Sequence, residues 1–147
     1  MKVLLSIKPE FVEKIFCGEK RYEYRKSVFK NKEVNTIIVY STMPVGRIVG
    51  EFKIKKVHRD APSQIWEKTS EYSGVEENFY KQYFKGRAHG FAIEISSYTL
   101  YDSPIDPKEM FDNFTAPQSF SYIEDYDELL ADRKNMCVVR HYETADV

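Results

Sequence analysis

Residues 18–25 read Gly-Glu-Lys-Arg-Tyr-Glu-Tyr-Arg, a turn residue followed by closely spaced opposite charges. Along an extended strand side chains alternate, so Glu23 and Arg25 share one face while Tyr22 and Tyr24 take the other. Lys20 stands at the entry, where the chain has not yet settled into the pleat. A lysine offers a phosphate a point charge and an arginine offers it a two-pronged fork. A glutamate between them accepts from a base amino group or holds the arginine in place. Lys20 with Glu23 is also an acid–base pair, provided the two proton affinities are driven apart. The plain alternative is a solvated ion pair on a strand face, with Tyr22 and Tyr24 anchored in the core.

The elements that must position this segment follow from periodicity and punctuation. Residues 2–8 are a short apolar strand ended by Pro9, which suits the first turn of a helix. Phe11, Val12, Ile15 and Phe16 fall at helical spacing, and Gly18 closes that helix. Residues 36–40, dense in β-branched side chains, predict a buried strand, and 46–58 alternate as a half-buried antiparallel one. Short helices are expected over 63–68 and 76–84, the second gathering Phe79, Tyr80, Tyr83 and Phe84 on one side before Gly86 stops it. Residues 90–96 form a third alternating strand that 98–101 continue or follow. Beyond it come a helical turn within 107–114, a loop over 115–120, and a helix over 124–134 anchored by Leu129 and Leu130. An edge strand over 136–140 closes the chain. These short strands and brief helices predict an α+β fold, a small, mostly antiparallel β-barrel with helices at its ends.

At 147 residues the chain fits one domain. Its 31% charged share, and apolar runs far short of about 20 residues, exclude a membrane-spanning helix. The amino terminus lacks a secretory apolar region, and Cys17 and Cys137 therefore read as reduced thiols in a cytoplasmic protein. Cys17, beside the apolar helix face, is expected to be buried. The net charge of −1 conceals a division: residues 1–60 hold 14 Lys+Arg against 7 Asp+Glu, and residues 61–147 hold 8 against 16. The basic half suits a polyanion or, equally, the acidic half. Lys53, Lys55, Lys56, His58 and Arg59 form a basic strand end that is either solvated surface or the extension of a phosphate track. No Walker loop, dinucleotide fingerprint or nucleophile elbow occurs, and the histidines lack metal-ligand spacing, so neither cofactor nor metal is expected.

The pattern Gly18-x-Lys20-x-x-Glu23-x-Arg25 resembles the GxKxxExR signature of the ASCH domain at every defined position. Residues 5–10, the segment Tyr40-Ser41-Thr42-Met43-Pro44, residues 46–52, Ile65-Trp66, Tyr83-Phe84-x-Gly86, residues 90–95 and Pro117-Gln118-Ser119-Phe120 resemble other family segments in order. The resemblance spans residues 3–122, implying an ASCH or PUA-like domain over 1–122 and a C-terminal extension over 123–147 that either packs on the barrel, extends its sheet or stays loose. It further implies a basic cleft at the barrel rim that binds RNA or a nucleotide, lined by Lys20, Glu23 and Arg25 with Lys8, Ser41 and Thr42 as neighbours. Tyr40, Trp66 and Tyr83 are the candidate stacking platforms there, with core packing as their alternative role. The implied partner is single-stranded RNA or a nucleotide, and the setting RNA metabolism or the regulation of transcription or translation. Similar domains include enzymes, giving a second reading in the same cleft: a ribonuclease, or an amidohydrolase of acylated cytidine. The amidohydrolase branch carries a threonine nucleophile where this chain has Glu23, and a carboxylate does not replace an activated hydroxyl.

Overall fold

The computed structural model describes residues 1–131 and 139–143 of the chain. Its elements run β1 (Lys2–Ile7), α1 (Pro9–Phe16), β2 (Tyr22–Arg25), β3 (Thr36–Ser41), β4 (Arg47–Asp60), α2 (Pro62–Thr69), α3 (Glu77–Tyr83), β5 (Gly90–Ile105), α4 (Pro107–Met110), β6 (Phe120–Ile123), α5 (Tyr126–Ala131) and β7 (Val139–Glu143). A single 3-10 turn, Ser70–Tyr72, follows α2. Pro9 opens α1 and Pro62 opens α2, where a missing N–H is harmless. Gly86, with φ +79°, lies just past the end of α3.

Among the described residues seven strands form one mixed sheet, six in the order β2-β5-β4-β3-β1-β6 and β7 beside β5 off that path. β1 and β3 are parallel and the other pairs antiparallel. β5 is long enough to serve two partners on one edge, β2 opposite Phe91–Glu94 and then β7 opposite Ser97–Tyr101. Both faces of the sheet are covered. Val3, Leu5, Ile7, Val39, Phe52 and Ile93 pack on one side under α1. Leu4, Ile38, Tyr40, Ile48, Tyr101 and Tyr126 pack on the other. A third cluster, Tyr24, Ile65, Tyr80, Phe84 and Ala92, lies beneath α2 and α3. Because both faces are covered, every residue of β3 is buried.

The sheet is not the closed barrel that the pattern of strands predicts. Its path ends at β2 and β6, and no backbone ladder joins them among the described residues. The reason lies at one corner of the sheet. The β1–β6 ladder stops at Leu5 opposite Phe120. One residue further on, the carbonyls of Ser6 and Ser119 accept hydrogen bonds from the two ends of the Arg25 guanidinium, at 3.2 and 2.8 Å. A side-chain fork stands where strand pairing would have closed the ring, and that leaves an opening.

Three other expectations change. Cys17 is exposed, because the last turn of α1 carries it off the buried stripe of Val12 and Ile15. Helix α5 is anchored by Tyr126, which is fully buried, while Leu129 and Leu130 are only partly covered. Phe79 is 40% exposed, apart from its buried neighbours Tyr80 and Phe84. Of the predicted strand over 136–140, residues 136–138 and Cys137 with them lie outside the described residues.

Candidate functional site

The opening beside Arg25 is a cleft of about 230 Å³, lined by Ser6, Lys8, Phe11, Lys20, Glu23, Tyr24, Arg25, Phe79, Tyr83 and Gln118 among others. Its most deeply placed charge is Lys20. The α1 helix ends at a turn in which Gly18 has φ +86°, a conformation that costs glycine little. The chain then doubles back, so that the Lys20 N–H donates to the Lys14 carbonyl at 3.0 Å. This aims the side chain inward, where it is 2% exposed. Its Nζ donates to the Ser73 carbonyl at 2.7 Å, lies 4.7 Å from the centroid of the Tyr24 ring and 5.4 Å from that of Phe11, and stands 4.0 Å from a Glu23 oxygen. Burial lowers its pKa from 10.5 to about 8, against the upward pull of Glu23.

Glu23 lies on β2 opposite Ile93 and is 5% exposed, so the charged face of this strand points into the fold and not into solvent. Its second oxygen is 3.5 Å from Arg25. Arg25 is held by the two carbonyls of Ser6 and Ser119. The Ser6 hydroxyl donates to the Pro117 carbonyl at 2.8 Å, tying the 117–119 segment to β1. Aromatic rings from two helices complete the walls. Phe11 of α1 meets Phe79 of α3 edge-on at 5.3 Å, and the Lys8 ammonium lies 5.6 Å from the Phe79 centroid. Burial raises the pKa of Tyr83 and of Tyr24, the latter bonded to the Thr69 hydroxyl at 2.7 Å. The cleft therefore presents three cations, one carboxylate and several π-faces around one space.

Of the residues singled out in the sequence, the structure brings Lys8, Lys20, Glu23 and Arg25 to this cleft. Ser41 and Thr42 stand elsewhere. Ser41 is buried beside a shallow hollow with Pro9, Val12 and Val49, and the Thr42 N–H donates to the Ile7 carbonyl at 3.0 Å. Among the aromatic candidates Tyr83 lines the cleft, Tyr40 packs in the interior against Phe114, and Trp66 lies against Tyr80 with ring centroids 4.5 Å apart. Sequence reasoning missed Phe11, Gln118 and the Ser73–Gly74 turn that receives Lys20. The turn does leave a trace in the sequence, a Ser-Gly pair between two helical patterns.

The sequence profile of the ASCH domain matches residues 5–99. Large ribosomal subunit protein uL22 of Ureaplasma parvum is 29% identical over 123 residues, 83% of this chain and 39% of that protein, so the chain spans about two-fifths of that relative's length. A protein of Zymomonas mobilis named ASCH domain-containing ribonuclease is 25% identical over 128 residues, covering 83% of this chain and 84% of the relative. The crystal structure of ASCH from Zymomonas mobilis superposes with a TM-score of 0.82 at 23% identity, over 90% of this chain and 94% of that one. At that identity the likeness is one of fold.

Proposed function

The chain belongs to the ASCH domain family, and from that premise we propose that it binds single-stranded RNA, with one nucleotide entering the cleft. The observation that carries this reading is the convergence of Lys8, Lys20 and Arg25 on a space that also holds the Phe11, Phe79 and Tyr83 rings. Cations for phosphate and rings for an unpaired base are the two components of single-strand recognition, the stacking worth about 1–3 kcal/mol per base. We assign the cleft to residues 1–122 and treat 123–147 as an appended segment. The setting this reading implies is cytoplasmic RNA metabolism or control of transcription or translation.

Titration of a fluorescent oligoribonucleotide at two salt concentrations tests it. Binding is expected to weaken as salt rises, and Arg25→Ala to weaken it about tenfold or more at fixed salt. Absence of binding by the wild-type protein at low salt overturns the reading.

A second reading, RNA cleavage, is favoured by one observation, the lowered pKa of Lys20 at 4.0 Å from Glu23, and by the name of the Zymomonas relative. In it, Glu23 takes the proton of a 2′-hydroxyl whose oxygen attacks phosphorus. Lys20 supplies a proton to the departing 5′-oxygen, leaving a 2′,3′-cyclic phosphate. Cleavage by the wild type that Glu23→Gln abolishes supports this, and cleavage unchanged in Glu23→Gln removes it. For the acylated-cytidine reading the cleft offers no comparable support, since its Ser6 hydroxyl is committed to the Pro117 carbonyl.

A further inference from the structure

A second concavity, about 650 Å³, lies outside the cleft, between the 29–35 segment and the outer end of β4. Its lining holds Lys30, Lys32, Lys55, Lys56 and Arg59 and no acidic side chain. Lys30, Lys32, Lys56 and Arg59 are exposed. Lys55 is also exposed and pairs with Glu94 at 3.7 Å, and the nearest acid in the opposite wall, Glu33, points to solvent. The floor is apolar: Phe29, Val34, Ile54, Val57 and Phe91. The basic half of the chain has therefore gathered much of its charge along one trough.

Two features link the trough to the cleft. Arg25 on β2 and Arg59 on β4 both pair with Phe91 of β5, from opposite sides. Directly opposed residues share a face, and two strand spacings put the backbones of the two arginines about 10 Å apart, with the Phe91 ring between them. The second connection is the chain itself. Leaving β2 at Arg25, it passes Lys26, whose Nζ lies 4.7 Å from the centroid of the cleft residue Tyr83, and then forms the wall that carries Lys30 and Lys32.

From this geometry we infer that the trough carries the phosphate backbone of the same RNA strand whose nucleotide enters the cleft, so that the ligand is an oligonucleotide and not a free nucleoside. The inference rests on the reading of the cleft proposed above. Cationic rims over an apolar, partly aromatic floor suit a single strand, phosphates to the rims and unpaired bases to the floor. A duplex hides the faces of its bases and leaves such a floor unused.

The test is a triple charge reversal, Lys30→Glu, Lys56→Glu and Arg59→Glu, at exposed positions that the core does not need. It is read with two probes, a labelled single-stranded decauridylate and uridine monophosphate. The variant is expected to lose about tenfold or more in affinity for the decamer, with a salt slope smaller by about 0.7 for each phosphate contact removed. Its affinity for the monophosphate, followed by shifts of the cleft resonances, is expected to stay at the wild-type value. Unchanged decamer binding in the triple variant, while Arg25→Ala weakens both probes, overturns the trough and leaves the cleft reading standing. If the wild type binds neither probe, both readings fall. Should a polyglutamate peptide bind the wild type and lose affinity in the triple variant while the decamer is unaffected, the trough belongs to an acidic protein segment and the inference is wrong.

Discussion

Lys20 and Glu23 stand 4.0 Å apart, and the lysine gives its hydrogen bond to the Ser73 carbonyl at 2.7 Å and not to the carboxylate. The same carboxylate faces Arg25 at 3.5 Å. Charge-assisted hydrogen bonds run at about 2.7–2.9 Å, so neither ion pair is drawn tight. One acid shared loosely between two cations, with Lys8 at the mouth, leaves the cleft with surplus positive charge. An anionic ligand neutralises that charge without first breaking a strong internal salt bridge.

The buried lysine makes stability depend on pH. Its pKa falls from 10.5 to about 8 on folding, chiefly through burial. Between those values the unfolded chain keeps a proton that the folded protein has released, so stability rises with pH across that window. Below pH 8 the cost of burying the charge is fully present. Tyrosines work in the opposite direction above about pH 10, where the unfolded chain starts to lose their protons; Tyr80, raised to about 12, and Tyr24, raised further, belong to that group. Urea-unfolding midpoints are therefore expected to climb between about pH 7.5 and 9.5 in the wild type, and to stay flat in Lys20→Met. Equal slopes in the two proteins would show that Lys20 is solvated.

The Gly74 backbone is the other half of the lysine's seat. Its φ is +67°, and a Cβ added there would meet the Lys20 stem at 2.6 Å. Its carbonyl also receives Lys14 Nζ at 3.1 Å. Gly74→Ala is expected to cost about 1–2 kcal/mol for the left-handed backbone alone, and more for the displaced stem. Gly86→Ala is the control, because φ is +79° there and the added carbon meets nothing within 4 Å. Denaturant unfolding should rank Gly74→Ala below Gly86→Ala, and an amine-reactive reagent should label Lys20 faster in the first. Equal stability and equal labelling would mean that the turn does not hold the lysine.

How much of this was legible in the sequence depends on the range over which each feature is decided. The 18–25 segment declares itself locally: a glycine that ends a helix, then a strand of period two. The strand at 90–96 does the same, but its extension through Ile105 does not, because alternation fails across the exposed Asp102, Ser103 and Pro104. The open sheet is not local. It depends on the β1–β6 ladder stopping at Leu5 and Phe120, and on Arg25 taking the next two carbonyls. The burial of Lys20 depends on Ser73, 53 residues further along the chain. Glu23 and Arg25 read equally well as a solvated face, because a period of two says which residues share a face but not what lies over it.

Helix α5 shows the same limit and supplies the last prediction. Aliphatic spacing nominates Leu129 and Leu130 as its anchors, yet the buried residue is Tyr126, 1% exposed. Its hydroxyl lies 2.7 Å from that of Tyr101, whose proton goes to Glu51 at 2.9 Å, so Tyr126 donates and Tyr101 relays. Burial, with Tyr126 and Glu51 beside it, raises the pKa of Tyr101 strongly and keeps that hydroxyl protonated. Tyr126→Phe keeps the ring and removes one donor, while Tyr101 still reaches Glu51; a loss of about 1 kcal/mol is expected. Tyr126→Ala also opens a cavity among Leu4, Ile38 and Ile123, and a loss of about 3–5 kcal/mol is expected. Neither residue lines the cleft, so oligonucleotide affinity should be unchanged in Tyr126→Phe. If the alanine variant proved as stable as the phenylalanine one, α5 would not be docked through Tyr126, and its hold on the sheet would fall to Leu130 and the Lys2–Asp127 pair.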